Sequence, residues 1–131
     1  RLADQADLLR RLAAPVLRVA ADALVLPLIG TLDRERIDVA LAALLARTAT
    51  GGIHRVVLDL TGVADFTDIA AVGVLRILRV LRLQGVTTSL SGIGPALAQT
   101  IVRAGSELGG VHCHASLAEA LTRKAGAPRH A

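Results

Sequence analysis

Short apolar runs and longer amphipathic stretches alternate along this chain. Two apolar runs, at 16–19 and 24–29, are separated by a four-residue turn and predict a β-hairpin. Further runs at 56–59, 86–90 and 111–114 predict three more strands, of which 56–59 has the pattern of a fully buried central strand. A long stretch with a helical period follows directly after that central strand. The pattern therefore predicts a sheet organised around residues 56–59.

The stretches between these strands have the apolar spacing of helices. The first begins after the N-cap candidate Asp33 and ends before Gly51. The next spans 68–83, the third runs from Pro95 to about Ala104, and a short last helix follows Ser116. The predicted order β-β-α-β-α-β-α-β-α indicates an α/β fold. We expect a mixed, mostly parallel sheet with an antiparallel N-terminal hairpin and about four helices.

The chain divides into three parts. Residues 1–14 are predicted to be helical, either a linker or the end of a signalling helix from another domain, and Pro15 ends that helix. Residues 15–124 are predicted to form one domain, and 125–131 a flexible tail. Pro27 interrupts the second strand, which predicts an edge position or a bulge. Because the chain starts with Arg and contains no Met, we expect a fragment of a longer protein.

Composition narrows the classes of partner. The 131 residues are 53% hydrophobic and include one aromatic residue, Phe66, so the core must be aliphatic and base stacking on aromatic side chains is not expected. The net charge of +4 is spread over mixed charges, which favours a solvated surface over a nucleic-acid site. No apolar run reaches the roughly 18 residues of a membrane span. With Cys113 as its single cysteine, the protein is expected in the cytoplasm.

The candidate site lies at the start of the helix 68–83. Asp65 and Thr67 precede this helix, at the edge of the sheet where α/β domains place their working groups. The outward face of the helix is predicted to carry Asp68, Val72, Leu75, Arg76 and Arg79. An apolar stripe with a charged rim is typical of a protein-binding helix, although isolated exposed Val and Leu residues are also common. Because the stripe continues the loop 65–68, we interpret both as one partner-binding surface.

The loop residues also have a purely structural interpretation. Either Asp65 or Thr67 is a suitable N-cap, and Asp68 in the first turn offsets the helix dipole. A hydroxyl at the amino end of a helix is equally a suitable phosphorylation target, because free N–H groups there receive the phosphate.

Other candidate sites have weaker support. His112, Cys113 and His114 alternate in direction along a strand, so they cannot bind one metal ion together, and we expect no metal and no cofactor. Gly92 and Gly94 form a glycine loop before a helix, without the third glycine of a dinucleotide motif. No nucleophile, base and oxyanion donors can be assembled from these residues, so we expect no enzyme activity.

Three sequence motifs in order resemble the STAS family, named for sulfate transporters and anti-sigma factor antagonists. They are LPLIGTLD at 26–33, VVLDLTGV at 56–63 and GIGPALAQTI at 92–101. The resemblance covers roughly residues 15–122 and is greatest to the RsbR-like stressosome branch. It implies the SpoIIAA-like fold and binding to a switch serine/threonine kinase or an anti-sigma factor. It also implies assembly with other STAS proteins. The alternative to a protein-binding function is a module that binds a nucleotide or another small ligand at Gly92–Gly94.

The sequence departs from the family at the phosphorylation positions. The family usually has Asp followed by Ser or Thr at the start of this helix, whereas here the pair is Thr67-Asp68. A second Thr phosphosite of some relatives corresponds to Arg34. Three hypotheses follow. In the first, Asp68 supplies a permanent negative charge; in the second, Thr67 accepts the phosphate although it points about 100° away around the helix; in the third, phosphorylation control is lost. The first and third hypotheses are favoured over the second.

Overall fold

The structure, a computed structural model, describes residues 15–64, 67–104, 112–114 and 116–122. The predictions for residues 1–14, for Asp65 and for the tail 125–131 lie outside the described residues.

The described residues form five strands and four helices in the predicted order. Their bounds are β1 (Leu17–Ala20), β2 (Ala23–Gly30), α1 (Arg34–Thr48), β3 (Arg55–Val63), α2 (Asp68–Leu83), β4 (Thr87–Ser91), α3 (Pro95–Ala104), β5 (His112–His114) and α4 (Leu117–Thr122). The strand order is β1-β2-β3-β4-β5, with β1 antiparallel to β2 and all other neighbours parallel. The predicted mixed sheet with an antiparallel N-terminal hairpin is confirmed.

The second and third strands differ from the prediction in their details. β2 lies between β1 and β3, so the predicted edge position of Pro27 is wrong. The alternative prediction, a bulge, is confirmed because the β2–β3 register shifts between Pro27 and Ile29. β3 does not end at Asp59 but continues to Val63, which pairs with Gly30. The loop before α2 is therefore shorter than the sequence indicates.

The two faces of the sheet are covered unequally. The main core contains Leu26 and Leu58 of the sheet packed against α1, α2 and α3, of which α3 contributes Ile101. On the opposite face a smaller cluster joins Val25 and Val57 to α4. Alternate residues of β2 and β3 thus face opposite layers, as the pleat of a strand requires.

Helices α1 and α2 lie side by side on the main-core face, and a glycine of α2 lies against α1. A Cβ atom added to Gly73 of α2 would lie 2.5 Å from Cγ1 and 2.7 Å from Cδ1 of Ile37 in α1. Ile37 is itself buried, with 2% of its surface exposed. Since Ile has a stiff branched side chain, it has little freedom to move away from such a contact. The glycine therefore sets the distance between the two helices.

We expect Gly73→Ala to destabilise the protein by roughly 1–3 kcal/mol, because overpacking outweighs the gain of about 1 kcal/mol in helix propensity. Urea unfolding measures the change. The control is the same substitution in an Ile37→Ala background, where the clashing atoms are gone and the cost is expected to disappear. An equal cost in both backgrounds would show that the Gly73–Ile37 contact does not set the helix spacing.

Candidate functional site

The amino end of α2 is fixed by a side-chain cap. Thr67 has extended backbone dihedrals, and its Oγ1 accepts a hydrogen bond from the Ala70 N–H with an N···O distance of 3.1 Å. Thr67, one of the two predicted N-cap candidates, is thus the residue that caps the helix. Such a cap typically contributes about 1 kcal/mol to stability. Asp68 follows in the first turn, where a carboxylate interacts favourably with the helix dipole.

The exposed face of α2 is shifted from the predicted one. Val72 is 66% exposed, as expected, but Leu75 is 7% exposed and belongs to the main core. The prediction that Leu75 lies on the outward face is therefore wrong. Ile69, which is 58% exposed, joins Val72 instead.

The sequence contains a signal for this shift that the prediction missed. Ile69, Val72, Gly73 and Arg76 follow the spacing i, i+3, i+4, i+7, which places them on one helix face. That face points towards α1, whereas Leu75 packs into the main core. Neighbouring helices thus decide which outward positions of α2 stay accessible.

A groove lies between α1 and α2 on this side of the molecule. It encloses a cavity of about 250 Å³. The lining residues are Arg34, Ile37, Asp68, Ile69, Val72, Gly73 and Arg76. Apolar side chains form its floor and charged ones its rim, and we call this feature the α1–α2 groove.

The charged rim contains one closed ion pair. The Arg76 Nη1 lies 2.6 Å from Oδ1 of Asp38 on α1, and the two side chains are 54% and 53% exposed. An exposed pair of this kind contributes at most about 1 kcal/mol. Arg34 and Asp68 line the same groove and are exposed. In the part of the chain that the structure describes, neither of these two side chains forms a hydrogen bond or an ion pair.

The structure brings some predicted site residues together and separates others. Asp68, Val72 and Arg76 line the groove, and Thr67 caps the helix at its end. Arg79 is exposed one turn beyond the lining residues. Asp65 lies outside the described residues. The residues that the sequence analysis did not assign to partner binding are Arg34, Ile37, Ile69 and Gly73.

The Gly92–Gly94 loop has a structural task. Its first N–H, that of Gly92, donates a hydrogen bond to the His114 carbonyl at 3.1 Å. Gly92 has φ +73°, and a Cβ atom added there would lie 2.7 Å from the backbone nitrogen of Thr61. Glycine is therefore needed for a close backbone contact, and the N–H group is not available to a phosphate.

A polar cluster lies beneath α4 at the carboxyl ends of β3 and β4. The Asp59 Oδ1 accepts hydrogen bonds from the Thr61 hydroxyl at 2.7 Å and from the Ser91 hydroxyl at 3.0 Å. Nearby, the buried His114 places Nδ1 3.5 Å from Oε1 of Glu119 on α4. These contacts join neighbouring strands and one helix.

Within 15–64, 67–104, 112–114 and 116–122 no three His, Cys, Asp or Glu side chains are grouped so as to hold a metal ion. Every helix in those ranges is too short or too polar to cross a bilayer. The strand alternation predicted for 112–114 is seen, since Cys113 packs towards the main core whereas His114 contacts α4.

Comparison with known proteins identifies the family. The STAS domain model matches residues 14–120. The RsbT co-antagonist protein RsbRC of Bacillus subtilis is 34% identical over 92% of this chain and 43% of its own length. RsbS of Moorella thermoacetica, in a form with one serine replaced by glutamate, matches with a TM-score of 0.68 at 26% identity, covering 82% of this chain and 91% of that one.

A chain from a stressosome structure, whose description is "a signal integration and transduction hub", shares the fold with a TM-score of 0.63 at 22% identity, over 82% of this chain and 92% of that one. The protein spans less than half the length of the curated relative that it matches. Because the family model covers most of the chain, this protein belongs to the STAS family.

Proposed function

We propose that this domain is a non-enzymatic regulatory module that binds a switch kinase or an anti-sigma factor through the α1–α2 groove and the adjoining loop 65–68. The observation that carries the proposal is the pair Ile69 and Val72, two large apolar side chains exposed next to a cavity with a charged rim. A small apolar patch rimmed by charge is typical of protein interfaces. The matched relatives include co-antagonists of RsbT by name, which supports a partner of this regulatory class.

The size of the groove favours a protein partner over a small ligand. Small-molecule sites usually enclose about 300–1,000 Å³ and bury most of the ligand. The groove encloses about 250 Å³ and opens to solvent. It has room for one large side chain of a partner. The alternative ligand site at Gly92–Gly94 has less support, because the Gly92 N–H is already bonded within the sheet.

The chemistry of the groove supports binding without catalysis. Among the described residues that line it, Asp68 is the only carboxylate, and the other charged lining groups are the guanidinium groups of Arg34 and Arg76. General acid–base or nucleophilic catalysis needs a nucleophile or a titrating base next to the reacting atom. The groove offers electrostatic and apolar contacts, and these suffice for recognition.

Asp68 gives the site a permanent charge where the family carries a phosphorylated hydroxyl. The relative RsbS was solved with a glutamate in place of a serine, so a carboxylate is compatible with this fold at one of its hydroxyl positions. A carboxylate supplies one negative charge, less than the roughly 1.5–2 charges of a phosphate. Arg34 in the same groove offsets it further. We propose that phosphorylation does not switch this domain, and that it also assembles with other STAS proteins.

We expect the double variant Ile69→Asp, Val72→Asp to lose partner binding at least tenfold, since two buried carboxylates would replace the apolar contact. Its melting temperature should change little, because both side chains are exposed. Calorimetric titration with the switch kinase or anti-sigma factor of the source organism measures the affinity. The matched control is Leu83→Asp on the same helix, at a side chain that is 87% exposed and outside the groove. Unchanged affinity of the double variant would place the interface elsewhere.

A second expectation concerns phosphorylation. After incubation with the switch serine/threonine kinase and ATP, the intact mass of the protein should stay unchanged, because Asp68 has no hydroxyl and Thr67 lies about 100° away around the helix from the position used in the family. The Asp68→Ser variant is the positive control, since it restores the hydroxyl at the position used in the family. Stoichiometric phosphate on the native protein that disappears in Thr67→Ala would contradict the proposal.

A further inference from the structure

The two ends of the α1–α2 groove differ in how their charges are used. Towards the carboxyl ends of the helices, Asp38 of α1 and Arg76 of α2 bind each other across the groove at 2.6 Å. At the amino ends, Arg34 is the first residue of α1 and Asp68 the first residue of α2. Both line the cavity, and among the described residues neither has a side-chain partner. One end is therefore closed, and the other presents one free cation and one free anion.

The cavity between these ends is apolar. Its apolar lining consists of Ile37, Ile69, Val72 and Gly73. A partner gains the most binding free energy by inserting a large apolar side chain here, since this displaces water from apolar surface. A third helix packs naturally into the groove between two others, and helix-in-groove binding uses anchors of this kind.

Resting on the proposed function, we propose the chemistry of the partner segment. The groove binds an amphipathic helix with one large apolar residue and, within one turn of it, one acidic and one basic residue. The apolar residue fills the cavity, the acid pairs with Arg34 and the base with Asp68. A partner with two acids or two bases would leave one groove charge facing a like charge, which is unfavourable.

Synthetic peptides test this recognition without the natural partner. The probes are helix-stabilised, end-capped peptides with a central Leu and two neighbouring positions occupied by Glu and Lys in either order, by Glu and Glu, by Lys and Lys, or by Gln and Gln. Each is titrated into the full chain and followed by backbone NMR shifts. One Glu–Lys order should bind roughly 2- to 5-fold more tightly than Gln–Gln, the range expected for exposed ion pairs. Replacing the central Leu by Ala should cost about tenfold or more.

Two variants of the protein assign the charges. Arg34→Gln should remove the advantage that the peptide gains from Glu, and Asp68→Asn the advantage from Lys. The matched control is Arg82→Gln, an exposed arginine of α2 that does not line the groove, which should leave the peptide ranking unchanged.

Three outcomes would overturn the inference: equal affinity of the Glu–Lys and Gln–Gln peptides, saturable shifts confined to residues outside α1 and α2, or no saturable shift with any peptide. Its failure is distinct from failure of the proposed function. If Ile69→Asp, Val72→Asp abolishes binding of the natural partner while the peptides show no charge preference, only the partner chemistry inferred here is wrong.

Discussion

The contact between Gly73 of α2 and Ile37 of α1 is the constraint on which the rest of the site depends. Without a Cβ atom at position 73 the two helices pack closely, and Ile37 fills the space between them. This spacing brings the amino ends of α1 and α2 beside one another, so that Arg34 and Asp68 line one cavity although they are far apart in the sequence. The parallel pairing of β2 and β3 supports the arrangement, because it starts both helices from the same edge of the sheet.

The site that results combines an apolar cavity with fixed charges. Its carboxylate, that of Asp68, stands at the capped amino end of α2, and its guanidinium, that of Arg34, stands at the amino end of α1. Under the proposed function, both charges are present without phosphorylation. In our account, the affinity of this domain for its partner is therefore constant, and binding depends on which partner is present. A signal would have to reach it through other parts of a longer protein or through assembly.

Much of the fold follows from the sequence because strands and helices have distinct apolar periods. The N-cap Asp33, the start of α3 at Pro95 and the alternation along β5 were all predictable from local chemistry. The extension of β3 to Val63 was not, since it results from pairing with a neighbouring strand. The site was predicted in part. Leu75 was placed wrongly because only tertiary packing shows which flank of α2 is buried in the main core.

The central claim is that the α1–α2 groove is where the domain meets its partner, and amide hydrogen exchange tests it most directly. Exchange is measured on the chain alone and in complex with its switch kinase or anti-sigma factor. The account predicts slower exchange in the complex at the amino ends of α1 and α2, around residues 34–38 and 67–76, with α4 and the Gly92–Gly94 loop unchanged. Protection of α4 and the glycine loop with unchanged exchange at 34–38 and 67–76 would contradict it.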